Sequence, residues 1–188
     1  MRYIFALFLV WFVVGCGGSM QQYMLSTPTR ISAVGHLRHV QIGVDKIGTP
    51  AYLSGNKIPV QSAAGELTYC DSAIWASAPE KGLTEHMIAY LQKRFATPAV
   101  YRYPWDIERK QGVRLKVTLS RFVYVEAKNA VELEASLFVE PLQGTRRLAR
   151  LFRTSVPVHK GETPLIVGAM NRAFDQLAEA AARMIGRF

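Results

Sequence analysis

Only two cysteines, Cys16 and Cys70, occur in the 188 residues. They could form at most one disulfide, which excludes a disulfide scaffold and a Cys-rich zinc module. Nine prolines and fourteen glycines are too few for a collagen-like or low-complexity chain, and 20% charged against 49% hydrophobic residues is not the balance of a disordered one. The sequence contains no Gly-x-Ser-x-Gly elbow, His-Glu-x-x-His pair, phosphate-binding loop or dinucleotide fingerprint, so the common hydrolase, zinc-protease and nucleotide sites have no foothold. No internal repeat is visible. Acidic side chains are also in short supply, 14 against 23 Lys and Arg, giving +9 at pH 7 and a pI near 9.8. Such a surplus suits an anionic surface, either nucleic acid or lipid headgroups.

What is there begins at the N-terminus. Arg2 precedes an uncharged apolar run over 3–14, which stops at Gly15-Cys16-Gly17-Gly18. A spanning helix needs about 20 apolar residues, so the run reads as a signal peptide. Val13-Val14-Gly15-Cys16 fits a bacterial lipobox, with Cys16 the residue that is acylated and becomes the new N-terminus. Residues 1–15 are then the signal, 16–21 the lipidated cysteine and a short tether, and 22–188 a single domain. Each buried CH₂ contributes about 0.8 kcal/mol, so the two or three acyl chains on a lipoprotein cysteine outweigh surface charge as the anchor. Gly17 follows Cys16 where an inner-membrane lipoprotein commonly has Asp, which leans toward the periplasmic face of the outer membrane. Export separates the mature domain from nucleic acid, leaving the membrane as the expected anionic neighbour.

Along the mature chain, alternating apolar residues predict short strands at 22–25, 40–44, 58–61, 66–70 and 99–103, with Pro59 placing the third on an edge. Ser77-Ala-Pro-Glu80 has the spacing of a capping box and opens a helix whose apolar stripe is Leu83, Met87, Tyr90, Leu91 and Phe95. Leu115, Val117 and Leu119, then Val131, Leu133, Ala135, Leu137 and Val139, predict a long antiparallel hairpin, with a third strand around 147–158. Arg114 and Lys116 on its polar face could pair with Glu132, Glu134 or Glu140, depending on register. Thr163-Pro164 predicts an N-cap and first helical residue, and Gly186 the stop, of a helix with Val167, Met170, Phe174, Leu177, Ala181 and Met184 on one face. Six or seven strands with two helices predict an α+β, two-layer domain: a mixed, mostly antiparallel sheet with both amphipathic helices on one face.

Candidate chemistry is thin. His36 and His39 at spacing three sit at the entry of a strand, where such residues point to opposite faces, so no metal site is expected. His86 and His159 have no partner by spacing, and Glu132 and Glu134 alternate with apolar residues as a solvated strand face does. Cys70, alone in the mature chain, is expected to pack as a small hydrophobe. Arg146, Arg147, Arg150 and Arg153 form the densest basic cluster, a solvated face or a contact for an anionic surface. Trp75 and Trp105, beside turn-forming segments, are core or loop anchors, or else ligand platforms.

The order of these pieces resembles the ABC-type transport auxiliary lipoproteins of PqiC type. A lipobox Cys is followed at once by Tyr23-Met24-Leu25, then by a Val-rich strand running into Pro50-Ala51-Tyr52-Leu53. Ile74-Trp75-Ala76 leads into the helix, Tyr103-Pro104-Trp105 follows, and a strand ends at Ser120-Arg121-Phe122 before the hairpin and C-terminal helix. The resemblance implies a non-enzymatic periplasmic component of an intermembrane lipid-transport system without cofactor. Its implied partners are an MCE-domain protein and ABC transporter components, with room for a homo-oligomer. It makes the loop at Tyr52 and Leu53, together with Trp75 and Trp105, the candidate partner contacts. The competing reading is a structural or assembly lipoprotein of the envelope that handles no lipid.

Overall fold

The computed structural model describes residues 20–28, 31–34, 41–104, 112–159 and 161–188. Cys16, His36, His39 and Trp105 lie outside the described residues. The strands are β1 (Gln21–Tyr23), β2 (Ile42–Val44), β3 (Lys57–Gln61), β4 (Leu67–Trp75), β5 (Val100–Arg102), β6 (Val113–Val125), β7 (Ala130–Pro141) and β8 (Leu148–Pro157). The helices are α1 (Pro79–Phe95) and α2 (Thr163–Ile185).

The backbone of the sheet is the meander β6–β7–β8, antiparallel throughout. The free side of β6 is divided: its first residues pair in parallel with β2, which carries β5, and its last with β3, which carries β4 and β1. A bridge between Gly48 and Thr118 lies between these two branches. The sheet is therefore mixed, as expected, and curls around the two helices. The long α2 lies across β6, β7 and β8, while α1 packs on β2, β5 and α2.

The inward face follows from alternation. Leu115, Val117 and Leu119 of β6 and Val131, Leu133, Ala135, Leu137 and Val139 of β7 are buried against Ile166, Met170, Phe174 and Leu177 of α2. Full burial of side chains of this size contributes roughly 1.5–3 kcal/mol each. A β-bulge between Leu119 and Arg121 shifts the register by one residue, so that Phe122 and Tyr124 continue the inward face. Asn129, at φ 44°, turns β6 into β7 after a short 3₁₀ turn, a conformation Asn tolerates better than most residues.

Three local expectations are corrected. β3 is interior rather than an edge, because Pro59 sits at a register shift against β4 and only Val60 and Gln61 pair with β6. The capping box does not form: α1 begins at Pro79 with Ala78 as its uncapped N-cap, and Glu80 instead pairs with Lys46 at 2.7 Å. Thr84, one turn further on, ties the segment after β2 to this end of the helix, its hydroxyl donating to the Glu80 carbonyl and accepting from the Ile47 N–H. In α2 the N-cap is Glu162, with Thr163 already helical, and Gly186 keeps a right-handed conformation instead of the left-handed stop.

Gly112, at the entry to β6, is required by close approach. A Cβ there would stand 2.5 Å from the Gln41 carbonyl oxygen, which itself accepts from the Val113 N–H. Gly112→Ala is expected to push β2 off β6 and to destabilise the fold by about 1–3 kcal/mol, read as a lowered urea midpoint with unchanged slope.

Candidate functional site

β1 begins only five residues after Cys16, and the chain beyond it straps the helix layer. The Ser26 N–H donates to Asn171 on α2, the Lys93 ammonium to the Pro28 carbonyl, and Arg94 to the Ser32 carbonyl. The Val34 N–H donates in return to the Arg94 carbonyl at 2.7 Å. β1 itself lies parallel to the end of β4, with Tyr23 beside Trp75. The N-terminal segment is thus fastened to the sheet and to both helices.

Beneath the strap runs a polar seam that no motif announces. His86, Tyr90 and Arg94 recur every four residues on α1 and face Asp175 and Glu179, one turn apart on α2. His86 Nε2 donates to the Asp175 carboxylate at 2.7 Å, and its ring stands edge-on to Phe174 at 5.0 Å. Its Nδ1 is buried without a protein partner. Glu179 accepts a fork from Arg94 at 2.9 and 3.2 Å and the Tyr90 hydroxyl at 3.1 Å. A two-point fork of this kind orients as well as attracts. The i, i+4 spacing is present on each helix, but Tyr90 belongs to the apolar stripe and the partners of His86 and Arg94 lie on another helix, so no local pattern marks the seam.

Burial, and then the Glu179 charge, push the Tyr90 hydroxyl up to about 12 from an ordinary 10.0. Because the folded value is the higher one, this stability is intact below pH 10 and is lost as pH rises from about 10 toward 12. Tyr90 is expected to ionise late in an ultraviolet titration, and Tyr90→Phe to abolish that part of the alkaline destabilisation.

Two open clefts border the helix layer. One, of about 340 Å³, lies between Met24–Thr27 and α1, with Ser77, Lys81, Glu85 and His86 in its walls. The other, of about 400 Å³, lies between α2 and β8, lined by Tyr90, Phe152, Asp175 and Glu179 among others. These walls suit polar groups. Among the described residues no cluster of three or more His, Cys, Asp or Glu is arranged for a metal, and no helix is long and apolar enough to cross a membrane.

The candidate contact residues separate. Leu53 is 1% exposed and Trp75 3%, so both side chains belong to the core and neither offers a surface to a partner. Tyr52 is half-buried: its hydroxyl accepts from the Phe122 N–H at 2.8 Å and stitches its loop to β6. The four arginines are not one patch, because successive residues of a strand face opposite ways. Arg147 and Arg153 lie on the outer sheet face with Glu140 and Glu134, at 3.3 and 3.5 Å. Arg150 falls on the helix side of β8, opposite Leu137, and Arg146 donates to the Arg187 carbonyl and covers the Phe188 ring. Cys70 is half-buried and packs against the core. Burial pushes its thiol up, and a hydrogen bond with Thr163 works the other way.

A single curled mixed sheet and a strapped helix pair define a small α+β module. The sequence matches the model of the ABC-type transport auxiliary lipoprotein component over residues 23–182, and the chain belongs to that family. Among solved structures it is similar to an uncharacterised protein, at TM-score 0.72 and 18% identity over 89% of this chain and 99% of the other. It is equally similar to XCC0632 of Xanthomonas campestris, a DUF330 protein, at TM-score 0.72 and 19% identity, over 88% and 95% of the two chains. These likenesses establish the fold. No curated protein matches the sequence.

Proposed function

We propose that this lipoprotein is a non-enzymatic accessory of an intermembrane lipid-transport system. Anchored through Cys16 at the periplasmic face of the outer membrane, it docks an assembly containing an MCE-domain protein and ABC transporter components. The observation that carries this reading is the family match, which begins at residue 23, directly behind the lipobox. The strap supports it: a tether of five residues, at about 3.3 Å each, keeps the domain within roughly 20 Å of the bilayer. Of the basic cluster, Arg150 is exposed and has no acidic partner among the described residues, which leaves it for an anionic headgroup or partner surface.

The test is affinity capture of the full-length protein from membranes after mild cross-linking. Recovery of an MCE-domain protein with a permease and ATPase is expected, together with sedimentation in the outer-membrane fraction. Recovery of envelope proteins without any transporter component would overturn the reading in favour of a structural lipoprotein.

A further inference from the structure

Among the described residues the last strand of the meander has a single neighbour. β8 pairs with β7 along all ten of its residues and forms one edge of the sheet. Long edges are usually blunted by a bulge, an interior proline or a covering segment. Here the register runs without a shift, and the strand's proline, Pro157, is its last residue.

One bond fixes which way the free backbone groups point. The Val158 N–H donates to the Asn129 carbonyl at 2.7 Å, just beyond the last cross-strand pair, Ala130 with Pro157. In an antiparallel ladder, residues alternate between turning both backbone groups toward the partner strand and turning both away. Counting back from Val158, the even-numbered residues of β8 are spent on β7. The N–H and C=O groups of Ala149, Leu151, Arg153 and Ser155 therefore point out from the edge, and Pro157 falls in the same set, where its missing N–H removes no ladder bond.

Beside this edge lies the cleft of about 400 Å³ between β8 and α2. Its acids are engaged, Asp175 by His86 and Glu179 by Arg94 and Tyr90. Its bases are in surplus. Arg183 reaches Glu179 only at 3.8 Å, and Arg150, the helix-side residue of β8 next before Phe152, is exposed without an acidic partner among the described residues. Arg146, which donates to the Arg187 carbonyl, carries the positive charge on past the start of the strand.

We propose that the β8 edge and this cleft bind an extended, acidic segment of another protein, which adds to the sheet as a further strand. Its backbone pairs with the outward groups of Ala149 to Ser155, and its alternate side chains lie over α2, with Asp or Glu where they meet Arg150 and Arg183. In strand addition the main-chain bonds supply affinity and the pockets for alternate side chains supply specificity. A lipid surface would use the arginines alone, whereas a strand uses them and the outward amides together. Any exported segment of this chemistry fits, so the contact does not depend on the transport reading.

The test uses the full-length acylated protein in neutral detergent micelles and a fluorescent peptide of four Val-Glu repeats. Saturable binding is expected by anisotropy, with slowed amide hydrogen exchange over β8. A fully N-methylated form of the peptide keeps its charge but has no backbone donor, and it should bind at least tenfold more weakly, as should a Val-Lys peptide. Arg150→Glu should also weaken binding at least tenfold. Lys116→Glu, the same change of charge on the outer sheet face, should alter it less than twofold. Both residues are exposed, and unchanged melting curves verify the fold. Absence of saturable binding, equal binding of the N-methylated or the Val-Lys peptide, or equal effects of the two substitutions would each overturn the proposal. Equal binding of the N-methylated peptide together with its displacement by phosphatidylglycerol would overturn it in favour of a headgroup site.

Discussion

Loss of the Cys16 acyl anchor together with the signal is expected to release the protein from the membrane: at alkaline carbonate extraction such a variant should be in the supernatant and the parent in the pellet. The size of the effect follows from the anchor. At about 0.8 kcal/mol per buried CH₂, one myristoyl-length chain binds only reversibly, with a constant near 10⁴ M⁻¹, and a second chain makes the attachment effectively permanent. Basic residues near an anionic leaflet add about 1 kcal/mol each and are screened by salt, so the surplus of +9 does not substitute for the lipid. Cys16→Ala alone leaves the signal uncleaved and so retained, and the companion variant that reads the prediction exchanges residues 1–16 for an ordinary cleavable secretory signal. Mass spectrometry of the parent should show an acylated Cys16 as the first residue. Retention of the companion in the pellet, or a parent whose N-terminus is unacylated, would show that something other than lipid holds the domain.

Phe174→Ala is expected to cost about 3–5 kcal/mol, a large share of the roughly 5–15 kcal/mol that a domain of this kind has in total. Phe174 is fully buried on the sheet-facing side of α2, and its ring is also the edge-on neighbour of His86. Truncation therefore leaves a cavity at the point where α2, the meander and the inter-helix seam meet. The melting temperature should fall by roughly 10 °C or more, at about 2–4 °C per kcal/mol for a chain of this size. By contrast Leu165→Ala, on the exposed first turn of the same helix, should change little. Equal melting temperatures for Phe174→Ala and the parent would contradict this placement of the core.

The elements that periodicity reveals well are those whose partners are close in sequence. The β6–β7–β8 meander and the apolar face of α2 follow from alternation and from spacings of three and four, and the cross-strand pair Arg114–Glu140 was among those the polar face allowed. The parallel pairings of β1 with β4 and of β2 and β3 with β6 are not visible in this way, because two- or three-residue ladders carry almost no period. Pro59 misled because its missing N–H matters only where a ladder bond is due, and a register shift removes that need. Ser77 and Glu80 have capping-box spacing, yet Lys46 from another segment takes the carboxylate.

The candidate site was legible only in part. Exposure could not be read for Leu53 and Trp75, since an apolar residue beside a turn looks the same whether it faces a partner or the core. Proximity in sequence suggested that the four arginines form one patch, but the pleat of β8 sends Arg150 and Arg153 opposite ways, while Arg147, just before the strand, reaches Glu140.

By itself the sequence determined the features governed by local chemistry: a lipobox at Cys16, a surplus of positive charge, the two strand-forming and helix-forming halves of the hairpin and α2, and the family to which they belong. Tertiary structure alone decided which surfaces remain available. Burial of Leu53 and Trp75 and the His86–Asp175 and Arg94–Glu179 seam arise between residues far apart along the chain. Such contacts depend on the register and crossing of packed elements, and those are set by the complementarity of whole faces rather than by any short run of residues.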